Sequence, residues 1–151
     1  MLASEPPLPE SKLPEISERM FQVNAGLMQA IGFAGVQAYQ PQERSLRLHF
    51  EVRPEFCHSG GRVAQGGFVT AWLDAAMAHV VIIESGGKEN LASLEIKVSF
   101  LSPVAPGKVV AHAKIIRKGK RVAFLEANLL DGQGKHLASA TSTALVTPLV
   151  S

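Results

Sequence analysis

The sequence predicts a single α+β domain in which one long apolar helix is wrapped by a curled antiparallel sheet. The chain has 151 residues, the size of one domain with one core. From Gly66 to about Ser85 apolar residues occupy nearly every face of a helix-length stretch, the mark of a helix buried inside its own domain. Runs of period-two alternation stand before and after that stretch, as half-buried strands require. Apolar residues make up 46% of the chain and charged residues only 19%, which excludes disorder for most of its length. The surplus of apolar surface is expected to be covered by a subunit interface, in a homo-oligomer that is a dimer or a tetramer.

Residues 1–14 carry prolines at 6, 7, 9 and 14 and are expected to form a flexible N-terminal arm, because proline denies the backbone regular hydrogen bonds. The single domain then runs over 15–151. Ile16, Met20, Val23, Leu27, Met28 and Ile31 recur at three and four, predicting an amphipathic helix from Glu15 to about Ile31 that Gly32 stops. Leu46, Leu48, Phe50 and Val52 alternate with Arg47, His49, Glu51 and Arg53 as a first strand. The long helix follows, with Phe68, Val69, Trp72, Leu73, Met77, Val80, Val81 and Ile83 as its apolar residues and Gly86-Gly87 as its stop.

After it, Leu94, Ile96, Val98 and Phe100 are predicted to face one side of a second strand, and Ser93, Glu95, Lys97 and Ser99 the other; Pro103 and Pro106-Gly107 end it. Val109 to Ile116 and Val122 to Leu130 form a hairpin through Lys118-Gly119-Lys120. A turn at Asp131-Gly132-Gln133-Gly134 leads into the last strand, His136 to Thr147.

The net charge of +2 is too mild for a nucleic-acid binder. One cysteine and five histidines without an HxxxH or HxH spacing give no disulfide framework and no zinc site, so neither a metal nor another cofactor is expected. No apolar run reaches the roughly 20 residues of a bilayer span, and the first residues lack a basic and then apolar leader. A cytoplasmic protein without membrane attachment is therefore expected.

Asp74 is the only acid between Gly66 and Ile83. A carboxylate taken out of water costs several kcal/mol by order of magnitude unless it finds partners, a cleft or chemistry; the plainer alternative is a part-exposed stripe. Just before the helix, Gln65-Gly66-Gly67 allows close backbone approach, and the first N–H groups point outward at a positive dipole end that polarises a carbonyl oxygen; alone it reads as a plain turn. Asp74 stands roughly 12 Å further along the helix at 1.5 Å per residue. One chain therefore cannot easily bring both to one carbonyl carbon, whereas a symmetric dimer can.

In this order, Gln65-Gly66-Gly67, Asp74-Ala-Ala-Met77, Ala92 to Val98 through Phe100-Leu101-Ser102-Pro103-Val104, Gly119-Lys120-Arg121 and Leu137 to Thr143 resemble the hotdog-fold thioesterases. The similarity is greatest to the phenylacetate-degradation type of the 4-hydroxybenzoyl-CoA thioesterase superfamily, and it runs from about Leu46 to Thr147. The resemblance implies hydrolysis of an acyl-CoA thioester to a free acid and CoA. Asp74 would be the nucleophile or the general base for water, the Gly67 N–H with Gly66 beside it would polarise the carbonyl, and Ser93 would help orient the water across the dimer interface. Many relatives carry His where this chain has Gln65, and Asn where it has Ser59 beside His58. Gln65 keeps hydrogen-bonding capacity but does not titrate near neutral pH.

Lys114, Arg117, Lys118, Lys120 and Arg121 crowd five cations into eight residues. Arg117, Lys118, Lys120 and Arg121 are the candidate ligands for the phosphates of coenzyme A, with a solvated loop as the alternative. Cys57-His58 as a thiol and its base is disfavoured because adjacent side chains seldom align. Asp74 and His79 share the spacing of hotdog enoyl-CoA hydratases only superficially, since five residues turn about 140° apart on a helix. A non-catalytic acyl-CoA-binding module and a hydratase remain the alternatives to hydrolysis.

Overall fold

A computed structural model describes Gln22 and residues 24–149. The predicted arm, residues 15–21 and 23 of the predicted first helix, and the last two residues lie outside them. Helix α1 (Ala25–Ala30) leads into β1 (Phe33–Gln40) and β2 (Ser45–Val52). A short hairpin of β3 (Cys57–His58) and β4 (Val63–Ala64) precedes the 19-residue helix α2 (Gly66–Glu84). Strands β5 (Glu89–Phe100), β6 (Gly107–Lys118), β7 (Val122–Asp131) and β8 (His136–Pro148) complete the chain. Six strands form one antiparallel sheet in the order β1-β2-β6-β7-β8-β5, with α2 across it. This is the hotdog arrangement that the sequence predicts.

Residue size explains how helix and sheet fit. Trp72, Leu73, Met77, Val80 and Ile83 of α2 are fully buried, and the buried residues of the sheet mix bulky side chains such as Leu46, Leu48, Phe50, Leu125 and Leu129 with alanines such as Ala111, Ala113, Ala123 and Ala144. Large and small side chains together fill the space between two layers at native density. The Trp72 indole N–H donates to the Ile31 carbonyl at 2.7 Å, fixing the end of α1 on the core. Gly32, at φ +79°, follows it, and a side chain there would collide with the Glu51 carbonyl. By length and a mean hydropathy of 1.6, α2 is apolar enough to cross a membrane, beyond what the search for an apolar run anticipates; packing inside the sheet accounts for that composition. Nor is it buried all round, because Gly67, Ala71, Asp74, Ala75 and Ala78 form a small-residue face that stays partly open.

Two features depart from the predicted strands. β1 went unpredicted because Gly35 (φ +141°) and register shifts at Phe33/Gly35 and Val36/Ala38 break its alternation. In β5 a bulge between Ser93 and Glu95 breaks the predicted facing. Ser93 pairs with Ala144, Ile96 with Ser142 and Val98 with Ala140, partners on the helix side of β8, so Ser93 shares the face of Ile96 and Val98.

The turn between β1 and β2 is tied to the end of α2. Arg44 donates through Nε and Nη2 to both carboxylate oxygens of Glu84 at 2.5 and 2.8 Å. Glu84 closes the helix, where an anion opposes the dipole, and the guanidinium neutralises it. Arg44 also holds φ +51°, a left-handed conformation that penalises any side chain. Arg44→Ala is therefore expected to cost about 0.5–1 kcal/mol in thermal unfolding, and Arg44→Gly measurably less, since glycine loses the ion pair but relieves the backbone. Equal destabilisation by both would show that the left-handed turn carries no strain.

Candidate active site

The described residues bring the predicted site together as two clusters on α2. At the helix start Gln65 is the N-cap, and its side-chain Oε1 accepts the Gly67 N–H at 2.6 Å. In this structure the Gly67 N–H is therefore taken up by the Gln65 side chain. The Phe68 and Val69 N–H groups turn back to the Gln65 carbonyl. The Gly66 N–H alone of this first turn has no partner among the described residues, so it is the donor open to a ligand oxygen. Gln65 acts here as an acceptor, not as the donor its chemistry also permits.

Phe100 completes this end. Its ring atoms lie 3.2 and 3.3 Å from where a Cβ on Gly66 would sit, so a side chain at this position would push the ring by a few tenths of an ångström. The sequence pattern marks Phe100 only as one more inward residue of a strand. Its place beside an open N–H depends on the long-range meeting of the end of β5 with the start of α2.

The second cluster is Asp74 with Ser93. The Ser93 hydroxyl donates to Asp74 Oδ1 at 2.6 Å within one chain, so the serine and the carboxylate are contributed by the same copy. The bulge in β5 makes this contact possible by turning Ser93 to the helix side. Asp74 is half-buried on the open small-residue face of α2, between the lone buried carboxylate and the exposed stripe that the sequence leaves open. One carboxylate oxygen is held by Ser93, and no hydrogen bond to the other is formed among the described residues. From Gly66 to Asp74 the helix advances roughly 12 Å.

Other candidates stand apart from these clusters. His58 Nδ1 is 2.8 Å from Ser59 Oγ on the exposed hairpin loop between β3 and β4, whose second strand leads to Gln65. Successive strand residues point to opposite faces, so Cys57 and His58 diverge. The Cys57 thiol instead donates to the Arg53 carbonyl at 3.6 Å, and burial pushes its pKa up, against a thiolate. His79 is buried, donates from Nδ1 to the Ala75 carbonyl at 2.6 Å, and has its pKa lowered by burial. It is a packed, neutral histidine that does not meet Asp74.

The cation cluster is also divided. Lys118 Nζ is 2.7 Å from Glu89 Oε1, so this candidate phosphate ligand is engaged inside the fold. Lys114 pairs across the sheet with Glu126 and Arg117 with Phe124. Arg117, Lys120 and Arg121 are exposed and form no ion pair among the described residues. The contact of Lys118 with Glu89, five residues past the end of α2, places this hairpin at the opposite end of the helix from Gly66. No group of three or more His, Cys, Asp or Glu residues arranged to hold a metal ion occurs among the described residues.

An acid held by a hydroxyl donor, an open backbone N–H at a helix start and cations at the far end can together serve carbonyl chemistry on an anionic ligand. Comparison with known proteins gives this geometry its family. The thioesterase superfamily model matches residues 61–138, just over half the chain and including both clusters. A thioesterase from Haemophilus influenzae superposes with a TM-score of 0.77 at 18% identity, over 100% of this chain and 98% of its own. A phenylacetic acid degradation-related protein from Ralstonia eutropha JMP134 superposes at 0.71 with 28% identity, covering 85% of this chain and 97% of its own. In sequence, a candidate esterase of Saccharolobus solfataricus is 26% identical over 114 residues, 76% of this chain and 75% of that one. The chain, a hotdog domain that this model matches across both clusters, belongs to the thioesterase superfamily, a membership that supports thioester hydrolysis in general.

Proposed function

We propose that this chain hydrolyses acyl-CoA thioesters at a site shared by two copies, without a metal or other cofactor. The observation that carries the reading is the separation of the two clusters: Asp74 with Ser93 on an open helix face, and the open Gly66 N–H more than two turns away. Two antiparallel α2 helices meeting on their small-residue faces bring the Asp74 of one copy to the Gly66 of the other. The exposed Leu94, Phe100 and Leu101 on the β5 edge supply apolar surface for such a contact.

In that site the thioester oxygen accepts the Gly66 N–H, which stabilises the charge that develops as the carbonyl carbon becomes tetrahedral. Asp74 removes a proton from a water molecule whose oxygen attacks that carbon. The C–S bond then breaks, and the CoA sulfur leaves and takes up the proton. Asp74 attacking the carbon directly, through an anhydride that water opens, leads to the same products. Ser93 holds one carboxylate oxygen so that the other faces the reacting centre, which makes it a positioning residue. A thioester is activated enough for one carboxylate and one polarising donor to suffice.

Release of free thiol from a panel of acyl-CoAs tests the reading. Hydrolysis liberates CoA-SH, a hydratase alters the acyl chain without thiol, and a binding module changes nothing. The exposed Lys120 and Arg121, with Arg117 nearby, are the expected phosphate contacts. Reversing Lys120 and Arg121 to Glu is expected to raise KM for CoA esters several-fold and leave kcat little changed, because the contact is lost equally in ground and transition states. The corresponding pantetheine thioester, which lacks the nucleotide, is expected to be insensitive. Equal loss with the truncated thioester would place the nucleotide elsewhere.

A further inference from the structure

We infer that Ser142, a buried serine of β8 outside both clusters, is a positioning residue for Asp74: its hydroxyl holds the bulge of β5 that turns Ser93 toward the carboxylate. The inference rests on the hydrolase reading above and adds to it a residue that acts only through others. Ser142 is 3% exposed on the inward face of β8, where Ala138, Ala140, Ala144 and Val146 accompany it and Ile96 and Leu125 are its partners on either side. A hydroxyl in such apolar surroundings loses water and must find a bond, whereas an alanine would fill the row without that cost. The Ser142 hydroxyl donates to the Glu95 carbonyl at 2.8 Å, while the carbonyl of Thr143 in its own strand is 3.5 Å away, at the limit of a contact. Glu95 is the residue at which pairing resumes after the bulge, the one irregular place in the pairing of β5 with β8.

Two arrangements of this stretch compete. If the pairing of Glu95 with Thr143 and Ile96 with Ser142 ran on without a bulge, Leu94 would stand opposite Ala144 and Ser93 opposite Leu145. Leu94 would then face inward with Ile96 and Val98, as simple alternation favours, and Ser93 would face away from α2. The bulge instead leaves Leu94 out of the pairing and sets Ser93 opposite Ala144, where its hydroxyl meets Asp74 Oδ1 at 2.6 Å. Two side-chain hydrogen bonds favour this second arrangement, Ser93 to Asp74 and Ser142 to the Glu95 carbonyl. The second ties the main chain of β5 one residue past the extra one and so opposes the slip that would carry Ser93 off the carboxylate.

The test is a double-mutant cycle on the full chain: parent, Ser142→Ala, Ser93→Ala and the double variant. Thiol release is followed well below each thermal midpoint, with whichever of acetyl-, hexanoyl- and benzoyl-CoA the parent hydrolyses fastest. Ser142→Ala is expected to lower kcat about three- to tenfold, the factor that one net hydrogen bond carries. KM is expected to stay within about twofold, since no group that binds the ester has moved. In the Ser93→Ala background the same substitution is expected to change kcat by less than about twofold, because the contact it protects is already gone. Ser142→Cys keeps the volume and weakens the donor, and it takes the place of Ser142→Ala in the cycle should the alanine variant not fold. Reductions that multiply in the double variant would show that Ser142 does not act through Ser93 and would overturn the inference. A kcat unchanged by Ser142→Ala, or a loss confined to KM, overturns it equally, and all three results leave the hydrolase reading standing. A parent that releases no thiol from any of the three esters refutes that reading and the positioning role with it.

Discussion

Asp74→Asn is expected to lower kcat for acyl-CoA hydrolysis by at least about a hundredfold, the order of magnitude contributed by a positioned acid or base, with the thermal midpoint little changed. The amide keeps the carboxylate's shape and still offers an oxygen to the Ser93 hydroxyl, which now meets Oδ1 at 2.6 Å. What disappears is the capacity to take a proton from water or to attack carbon. Because Asp74 lies half-buried on the open face of α2 rather than in the packed core, its loss removes little burial. Ser93→Ala is expected to have a smaller effect, mainly on kcat, since a positioning hydrogen bond is lost and the carboxylate remains. An Asp74→Asn variant retaining activity within threefold of the parent would remove this carboxylate from the chemistry.

How far the sequence discloses this arrangement depends on how local each determinant is. α2 is legible from its apolar length and the Gly86-Gly87 stop, and β2, β6, β7 and β8 from their alternation, because helix and strand periods are properties of consecutive residues. β1 is not legible, since Gly35 and two bulges interrupt its period. The facing of Ser93 fails for the same reason: one extra residue between Ser93 and Glu95 exchanges the two faces of a strand.

Among the site residues, Asp74 stands out as the one acid in an apolar helix, a composition signal that needs no tertiary structure. Which N–H of the first turn stays open is different. It depends on the rotamer of Gln65, whose side chain caps the Gly67 N–H; glutamine is not among the favoured N-cap residues, so the pattern gives no warning. The Lys118–Glu89 pair and the meeting of Phe100 with Gly66 join residues 29 and 34 positions apart in sequence. Neither hydropathy nor charge counting senses such contacts.

The proposal that one site draws on two chains is most directly tested by complementation. Asp74→Asn and a Gly66→Val variant, whose side chain would displace the Phe100 ring and block approach to the N–H, are each expected to be nearly inactive. After unfolding, mixing in equal amounts and refolding, half of the dimers are mixed, and each mixed dimer holds one site with both wild-type halves. Thiol release from an acyl-CoA is then expected to recover to about a quarter of the parent's rate, as isologous symmetry dictates. Activity that stays at the sum of the two separate variants would contradict a shared site and return Asp74 and Gly66 to one chain.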